Sequence, residues 1–205
     1  MSKKDKVLEI NSELKKLFPN AKIALNYKTP IDLFVAVVLS AQTTDKQVNV
    51  VTEDLFKKYP TLKDYINTPL SEFEQDIKRI GLFRAKAKNI KAALEIVSKK
   101  YKGKLPDSME ELVKLPGVGR KTANVLLFNI YKKSEGIAVD THVKRLSRLF
   151  GLTEQTNPDK IEKDLMELLP KSEWGNITYL IIDYGRTYCK ANCKHQSCPL
   201  RKFIT

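Results

Sequence analysis

No run of apolar residues in this chain approaches the roughly 20 that a membrane-crossing helix needs. The most apolar stretch, Leu33 to Leu39, is short and opens on helix-capping signals. Met1-Ser2-Lys3-Lys4-Asp5 lead into an amphipathic pattern rather than an apolar core, so no secretory signal peptide is expected. Cysteine is scarce: there are three, all within the last 17 residues. An odd number gathered at one end is not a disulfide framework and suits a reducing cytoplasm. Sustained period-2 alternation is missing, which argues against a sheet and for an all-α fold. Internal repeats, low-complexity tracts and flexible linkers are also missing. Acidic residues are outnumbered, with 24 Asp and Glu against 37 Lys and Arg for a formal net charge of +13. Such an excess points to a polyanionic partner, duplex nucleic acid before a membrane surface. Part of it is lysine on exposed helix faces.

What is present is a succession of amphipathic helical patterns over 205 residues, enough for one or two compact domains. Val7, Ile10, Leu14 and Leu17 recur at helical spacing up to Phe18-Pro19. Thr29-Pro30-Ile31-Asp32 reads as a cap, a proline at the first helical position and an acid in the first turn. Leu33 to Leu39 follow, apolar on nearly every face, so this helix is expected to be central. A polar segment, Ser40 to Asp45, separates it from a helix carrying Val48, Val51, Leu55 and Phe56. Thr68-Pro69 is expected to open a helix with Phe73, Ile77 and Ile80, and Arg84 to Tyr101 a long one on Ile90, Ala93, Leu94 and Val97. Ser108-Met109-Glu110-Glu111 has the form of a capping box, with Met109, Leu112 and Leu115 facing inward. Further helices are expected on Val143, Leu146 and Leu149, on Ile161, Leu165 and Leu168 after Asn157-Pro158, and from about Ile177 to Tyr188.

The stretch with the most chemistry is Leu115-Pro116-Gly117-Val118-Gly119-Arg120-Lys121-Thr122-Ala123, a tight turn running into the helical pattern Asn124 to Tyr131. Gly117 and Gly119 can take positive φ and admit close approach of another backbone. A helix start leaves N–H groups unpaired and carries a partial positive charge, which suits a phosphate. It disfavours cations, yet Arg120 and Lys121 stand there, and an uncharged lysine amine is a nucleophile. A lone G-x-G is weak evidence, and with no strand before it a dinucleotide fold is not expected. A helix–turn–helix corner bearing a solvated lysine is the plainer reading of this stretch alone.

Several segments taken together resemble the endonuclease III family of DNA base-excision glycosylases, within the helix–hairpin–helix superfamily. They are Leu39-Ser40-Ala41-Gln42-Thr43-Thr44-Asp45, Gly81-Leu82-Phe83 with Lys86-Ala87, Leu115 to Ala123, Val139-Asp140-Thr141-His142, and Gly185-Arg186, in the family's order and near its spacings. The resemblance implies an all-α fold of two helical domains flanking a DNA-binding cleft. One would be a six-helix barrel with the helix–hairpin–helix, over 23–133. The other would be built from 1–22 and 134–205. It implies a bifunctional glycosylase and AP lyase that acts on oxidised pyrimidines in duplex DNA. Lys121 looks like the nucleophile that attacks the sugar C1′ and forms a Schiff base, and Asp140 like the acid that assists it. Gln42 and Leu82 look like side chains that fill the gap left by a flipped base. Gly117, Val118, Gly119, Arg120 and Thr122 look like the hairpin that grips the DNA backbone. The partner implied is duplex DNA with damaged bases or abasic sites, the oligomeric state a monomer, and the location cytoplasmic and nucleoid-associated.

Each residue has a plainer reading beside that one. Asp140 is suited to cap the next helix. His142 is expected to be a structural, hydrogen-bonding residue near that helix start, and Asp140 with His142 are too few to hold a metal. Gln42 alone reads as a polar residue at a helix end, and Leu82 alone as core. A non-enzymatic helix–hairpin–helix module that only holds DNA, or a monofunctional glycosylase of the same fold, are the rival functions.

The carboxyl-terminal tail departs from the family. Many members hold a [4Fe–4S] cluster on cysteines spaced C-x6-C-x2-C-x5-C. Here Gly185-Arg186-Thr187-Tyr188-Cys189 matches the lead-in to the first, and Cys198-Pro199-Leu200 resembles the third if one residue is deleted between them. The second then falls on His195 and the fourth on Ile204, while Cys193 is out of register. No cofactor is therefore committed. Cys189, Cys193, Cys198 and His195 are the candidate ligands for an incomplete iron–sulfur site or for zinc. The plainer expectation is a tail packed without metal through Leu200, Phe203 and Ile204.

Overall fold

The computed structural model describes residues 2–204; Met1 and Thr205, the outer ends of the expected second domain, lie outside it. Every regular element among the described residues is helical. The chain divides into two compact units, one of Met1–Ile23 with Lys133–Thr205 and one of Ala24–Lys132. No helix among the described residues is long and apolar enough to cross a membrane.

The contiguous unit is built on α2 (Pro30–Leu39), which packs against α3 (Asp45–Lys58), α6 (Phe83–Tyr101) and α8 (Arg120–Tyr131). Leu33 to Leu39 are all buried, as expected of a helix apolar on every face. Its start is closed reciprocally: Thr29 Oγ1 accepts from the Asp32 N–H at 3.1 Å, and the Asp32 carboxylate accepts from the Thr29 N–H at 2.9 Å. Between α3 and α6 lie α4 (Leu62–Asn67) and α5 (Leu70–Asp76), and α7 (Met109–Leu112) precedes α8. The helix α4 has no counterpart in the sequence reading. It is six residues long and buries only Tyr65, so it shows no repeat, although its own capping box at Thr61 and Asp64 starts it. Tyr65 stacks with Tyr59 and Phe73 at ring separations of 5.0 and 5.8 Å. The helix begun near Pro69 stops at Asp76 rather than running on to Ile80; Ile77 and Ile80 are buried from the turns that follow. The capping box at Ser108 closes on one side only. The Ser108 hydroxyl accepts from the Glu111 N–H, but the Glu111 carboxylate is drawn to Lys100, Lys114 and the Tyr101 hydroxyl.

The other unit packs α1 (Lys3–Leu17), α9 (Thr141–Leu149), α10 (Pro158–Leu168) and α11 (Trp174–Thr187) around Val7, Ile10, Leu14, Leu146, Phe150, Leu165, Leu180 and Tyr184. The contact of α9 with α11 depends on Gly185. A Cβ built there falls 2.5 Å from Nδ1 of His142 and 3.2 Å from Cδ1 of Leu146. His142 is therefore structural, but by packing: its Nδ1 lies buried against bare backbone, without the hydrogen bond expected of it. Gly185→Ala is expected to destabilise the protein by about 1–3 kcal/mol, because a ring cannot yield as a flexible chain end can. Adding His142→Ala to that variant should recover most of the loss in a denaturant titration. A double variant no more stable than Gly185→Ala alone would show that the ring is not the obstacle.

Candidate functional site

In the contiguous unit, three loops carry the residues singled out from the sequence. The hairpin between α7 and α8 turns at Gly117, whose φ of +80° is in the left-handed region. A Cβ there would meet Asn89 Cβ at 3.1 Å and Val38 Cγ1 at 3.5 Å, so a side chain would push the turn off α6 and α2. The turn is closed by the Val118 N–H donating to the Leu115 carbonyl at 3.1 Å, with Leu115 and Val118 both buried. Gly119 differs from expectation. Its φ is −93°, because it is the N-cap of α8 and takes the extended conformation that position requires. Nothing lies within 4 Å of a Cβ placed on it, and no side-chain cap hydrogen bond closes the start of α8. A helix start with no side-chain cap, beside open space at Gly119, carries the dipole's positive end and is an arrangement that receives anions. Arg120 and Lys121 are exposed on this turn and Thr122 is half-buried.

The second and third loops meet. Gln42 lies between α2 and α3, Leu82 at the start of α6, and a Cβ on Gly81 would stand 3.8 Å from the Gln42 carbonyl oxygen and 3.9 Å from Thr43 Oγ1. Both residues have left-handed backbone, with φ of 55° at Gln42 and 58° at Leu82. That conformation is uncommon for a residue with a Cβ, costs about 1–3 kcal/mol, and gathers at binding sites. Leu82 is not core: it is 61% exposed, the most exposed of the large hydrophobic side chains among the described residues.

Lys86 holds this pair of loops in place. Its side chain is buried, and its amine donates to the carbonyls of Leu39 at 2.8 Å and Ala41 at 2.6 Å and to Thr43 Oγ1 at 3.1 Å. Three protons meet three acceptors, and the cation stands at the negative end of α2, which has no basic residue in its own last turn. Burial lowers the pKa of this amine. Lys91, one turn further along α6, does the same for α4 through the carbonyls of Tyr65, Ile66 and Thr68. The sequence showed Lys86 only as part of a matching segment, since its partners lie more than 40 residues away. Lys86→Met is expected to lower stability by about 3 kcal/mol, because buried carbonyls lose a charged donor. A variant with unchanged stability in a urea titration would show that the three bonds are dispensable.

In the other unit, Asp140 caps α9, its carboxylate accepting from the Val143 N–H at 2.8 Å, and remains half-buried. Ile137, Ala138 and Val139 before it are buried, with the Thr178 hydroxyl donating to the Ala138 carbonyl.

The same unit gathers Cys189, Cys193, His195 and Cys198, whose ligand atoms all lie within 4.8 Å of one another, an arrangement compatible with a bound metal. All three cysteines are free thiols. The packing expected of the tail is present too: Leu200 and Phe203 are buried and Ile204 lies against the same core. A four-iron cluster does not fit this quartet. Each of its ligands bonds a different iron and stands outside the corner of a cube. Ligand atoms no more than 4.8 Å apart lie within about 2.9 Å of a common centre, little more than one metal–sulfur bond of about 2.3 Å.

The comparisons agree with the fold. Residues 35–171 match the model of the HhH-GPD superfamily base excision DNA repair proteins. The chain is 48% identical to the endonuclease III of Synechocystis sp. over 93% of this chain and 87% of that protein. It is 46% identical to that of Bacillus subtilis over 90% and 84%. A solved structure of a trapped endonuclease III–DNA covalent intermediate superposes with a TM-score of 0.94 at 45% identity, covering all of this chain and 96% of that one. On the strength of a uncapped helix start behind the glycine hairpin, two strained loops and likeness along nearly its whole length, the chain belongs to the endonuclease III family of the HhH-GPD base-excision repair superfamily.

Proposed function

We propose that this chain is a bifunctional DNA glycosylase and AP lyase that removes oxidised pyrimidines from duplex DNA and nicks the strand 3′ to the resulting abasic site. The observation that carries the reading is the exposed Lys121 on the first turn of α8, directly behind the Gly117–Gly119 turn and a helix start with no side-chain cap. The relative trapped covalently on DNA supports a nucleophile of this kind.

A base stacked inside a duplex is out of reach of any side chain, so the nucleotide is extruded at a cost of a few kcal/mol. Gln42 and Leu82, held in strained exposed loops, occupy the gap and offset the lost stacking. The hairpin backbone holds a phosphate of the distorted strand. The Lys121 amine gives up a proton and attacks C1′, the C1′–N glycosidic bond breaks, and the base leaves, taking up a proton. The sugar ring then opens at C1′–O4′, O4′ taking a proton, to give an imine that acidifies the C2′ proton; removal of that proton expels the 3′ phosphate, and hydrolysis frees the amine. Asp140 is assigned the handling of the proton and the steadying of the cationic sugar. The cysteine–histidine quartet takes no part in these steps. Three free thiols suit a reducing cytoplasm, with the enzyme on the nucleoid as a monomer.

Borohydride trapping on a panel of duplexes tests the whole reading. Duplexes with an oxidised pyrimidine or a plain abasic site should yield a covalent adduct and, without borohydride, a nick; undamaged duplex should yield neither. Equal binding to all three with no adduct would leave a DNA-holding module. Base release without adduct or nick would leave a monofunctional glycosylase.

A further inference from the structure

We infer that Cys189, Cys193, Cys198 and His195 form a mononuclear tetrahedral zinc site in place of an iron–sulfur cluster. The inference rests on the geometry of the tail and is independent of the reaction proposed above.

A single zinc with Zn–S of about 2.3 Å and Zn–N of about 2.0–2.1 Å sets its ligand atoms about 3.6–3.8 Å apart in a tetrahedron. Cys193 Sγ and Cys198 Sγ are 3.3 Å apart. His195 Nδ1 lies 3.4 Å from Cys189 Sγ and 3.8 Å from Cys198 Sγ. The ligand nitrogen is therefore Nδ1, and all four ligands, spaced C-x3-C-x-H-x2-C, come from one short stretch. The register that separates Cys193 from the family pattern is thus no defect, because this residue and His195 replace the two family positions that lack cysteine.

Backbone and surroundings agree. His195 has a φ of 61°, left-handed backbone that turns its ring back toward the thiols. Its own N–H donates to Cys193 Sγ at 3.2 Å. Three thiolates and a neutral imidazole around Zn²⁺ carry a net charge of −1, and the nearby cation is Arg145. Its Nη1 lies 3.6 Å from Cys189 Sγ, and its Nη2 donates to the Cys189 carbonyl. Loading the site exchanges three thiol protons for one Zn²⁺, with no change of oxidation state. Zinc is borderline-soft and suits such a donor set without redox chemistry. Its place would be structural, closing a loop from Lys190 to Ser197 that buries none of its own side chains.

The test is metal analysis of the purified full-length protein produced with zinc and iron both supplied. One zinc per chain and no visible absorption are expected. Stripping the protein and adding Co²⁺ should give the visible bands of tetrahedral cobalt thiolate, a measurement on the unaltered chain that needs no variant to fold. His195→Ala should lose those bands, and Arg145→Met should weaken zinc binding about 10–100-fold in a chelator competition. Four irons per chain, a single iron, or no metal after reloading with zinc would each overturn the inference, whatever the protein does to DNA.

Discussion

Lys121→Ala is expected to abolish the borohydride-trapped adduct and to slow strand nicking at least about 10³-fold, about 4 kcal/mol of lost transition-state stabilisation. The loss should be confined to chemistry. Lys121 is exposed and makes no hydrogen bond or ion pair among the described residues, so its removal should shift stability by no more than about 0.5 kcal/mol. Lys121→Arg sharpens the result. A guanidinium keeps the positive charge near the strand but does not deprotonate in a protein, so it cannot attack C1′. The arginine variant should bind abasic duplex with the salt dependence of the parent, since the same number of phosphates is neutralised, yet trap nothing. An alanine variant that still forms the adduct at the parental rate would move the nucleophile elsewhere and remove the lyase assignment.

The parts of this fold that could be read from the sequence are those whose signals are local. The start of α2 follows from Thr29, Pro30 and Asp32 alone, and its burial from an unbroken apolar run. The hairpin follows from glycine and the helix behind it. What was not legible depends on residues far apart in the chain. Taken alone, without the family resemblance, Gln42 and Leu82 read as a polar helix end and a core leucine, and their strained, exposed backbones are sustained by Lys86, whose three bonds span more than 40 residues. Glu111 fits a capping box by spacing but finds stronger partners in Lys100 and Lys114. Gly119 could have been left-handed, and its place as N-cap decided otherwise. In the tail, counting positions made Cys193 an outlier, because a count along the chain does not foresee that one left-handed histidine brings four ligand atoms within 4.8 Å.

Asp140 caps α9 and is proposed to handle a proton as well, and two substitutions separate the two roles. Asparagine caps a helix about as well as aspartate, since its side-chain oxygen accepts the same bond from the Val143 N–H; only the charge favoured by the helix dipole is lost. It cannot take up a proton or stabilise a cationic sugar as a carboxylate does. Asp140→Asn is therefore expected to unfold within about 1 kcal/mol of the parent while base release and nicking fall about 10²–10⁴-fold. Asp140→Ala should lose the same activity and in addition about 1 kcal/mol of stability with the cap. The pattern across the pair carries the argument: equal loss of activity with unequal loss of stability assigns the carboxylate to chemistry and the oxygen to the fold. If the asparagine variant nicks abasic duplex at the parental rate, Asp140 is a cap alone, and the proton that Lys121 must give up before it attacks is taken by another group.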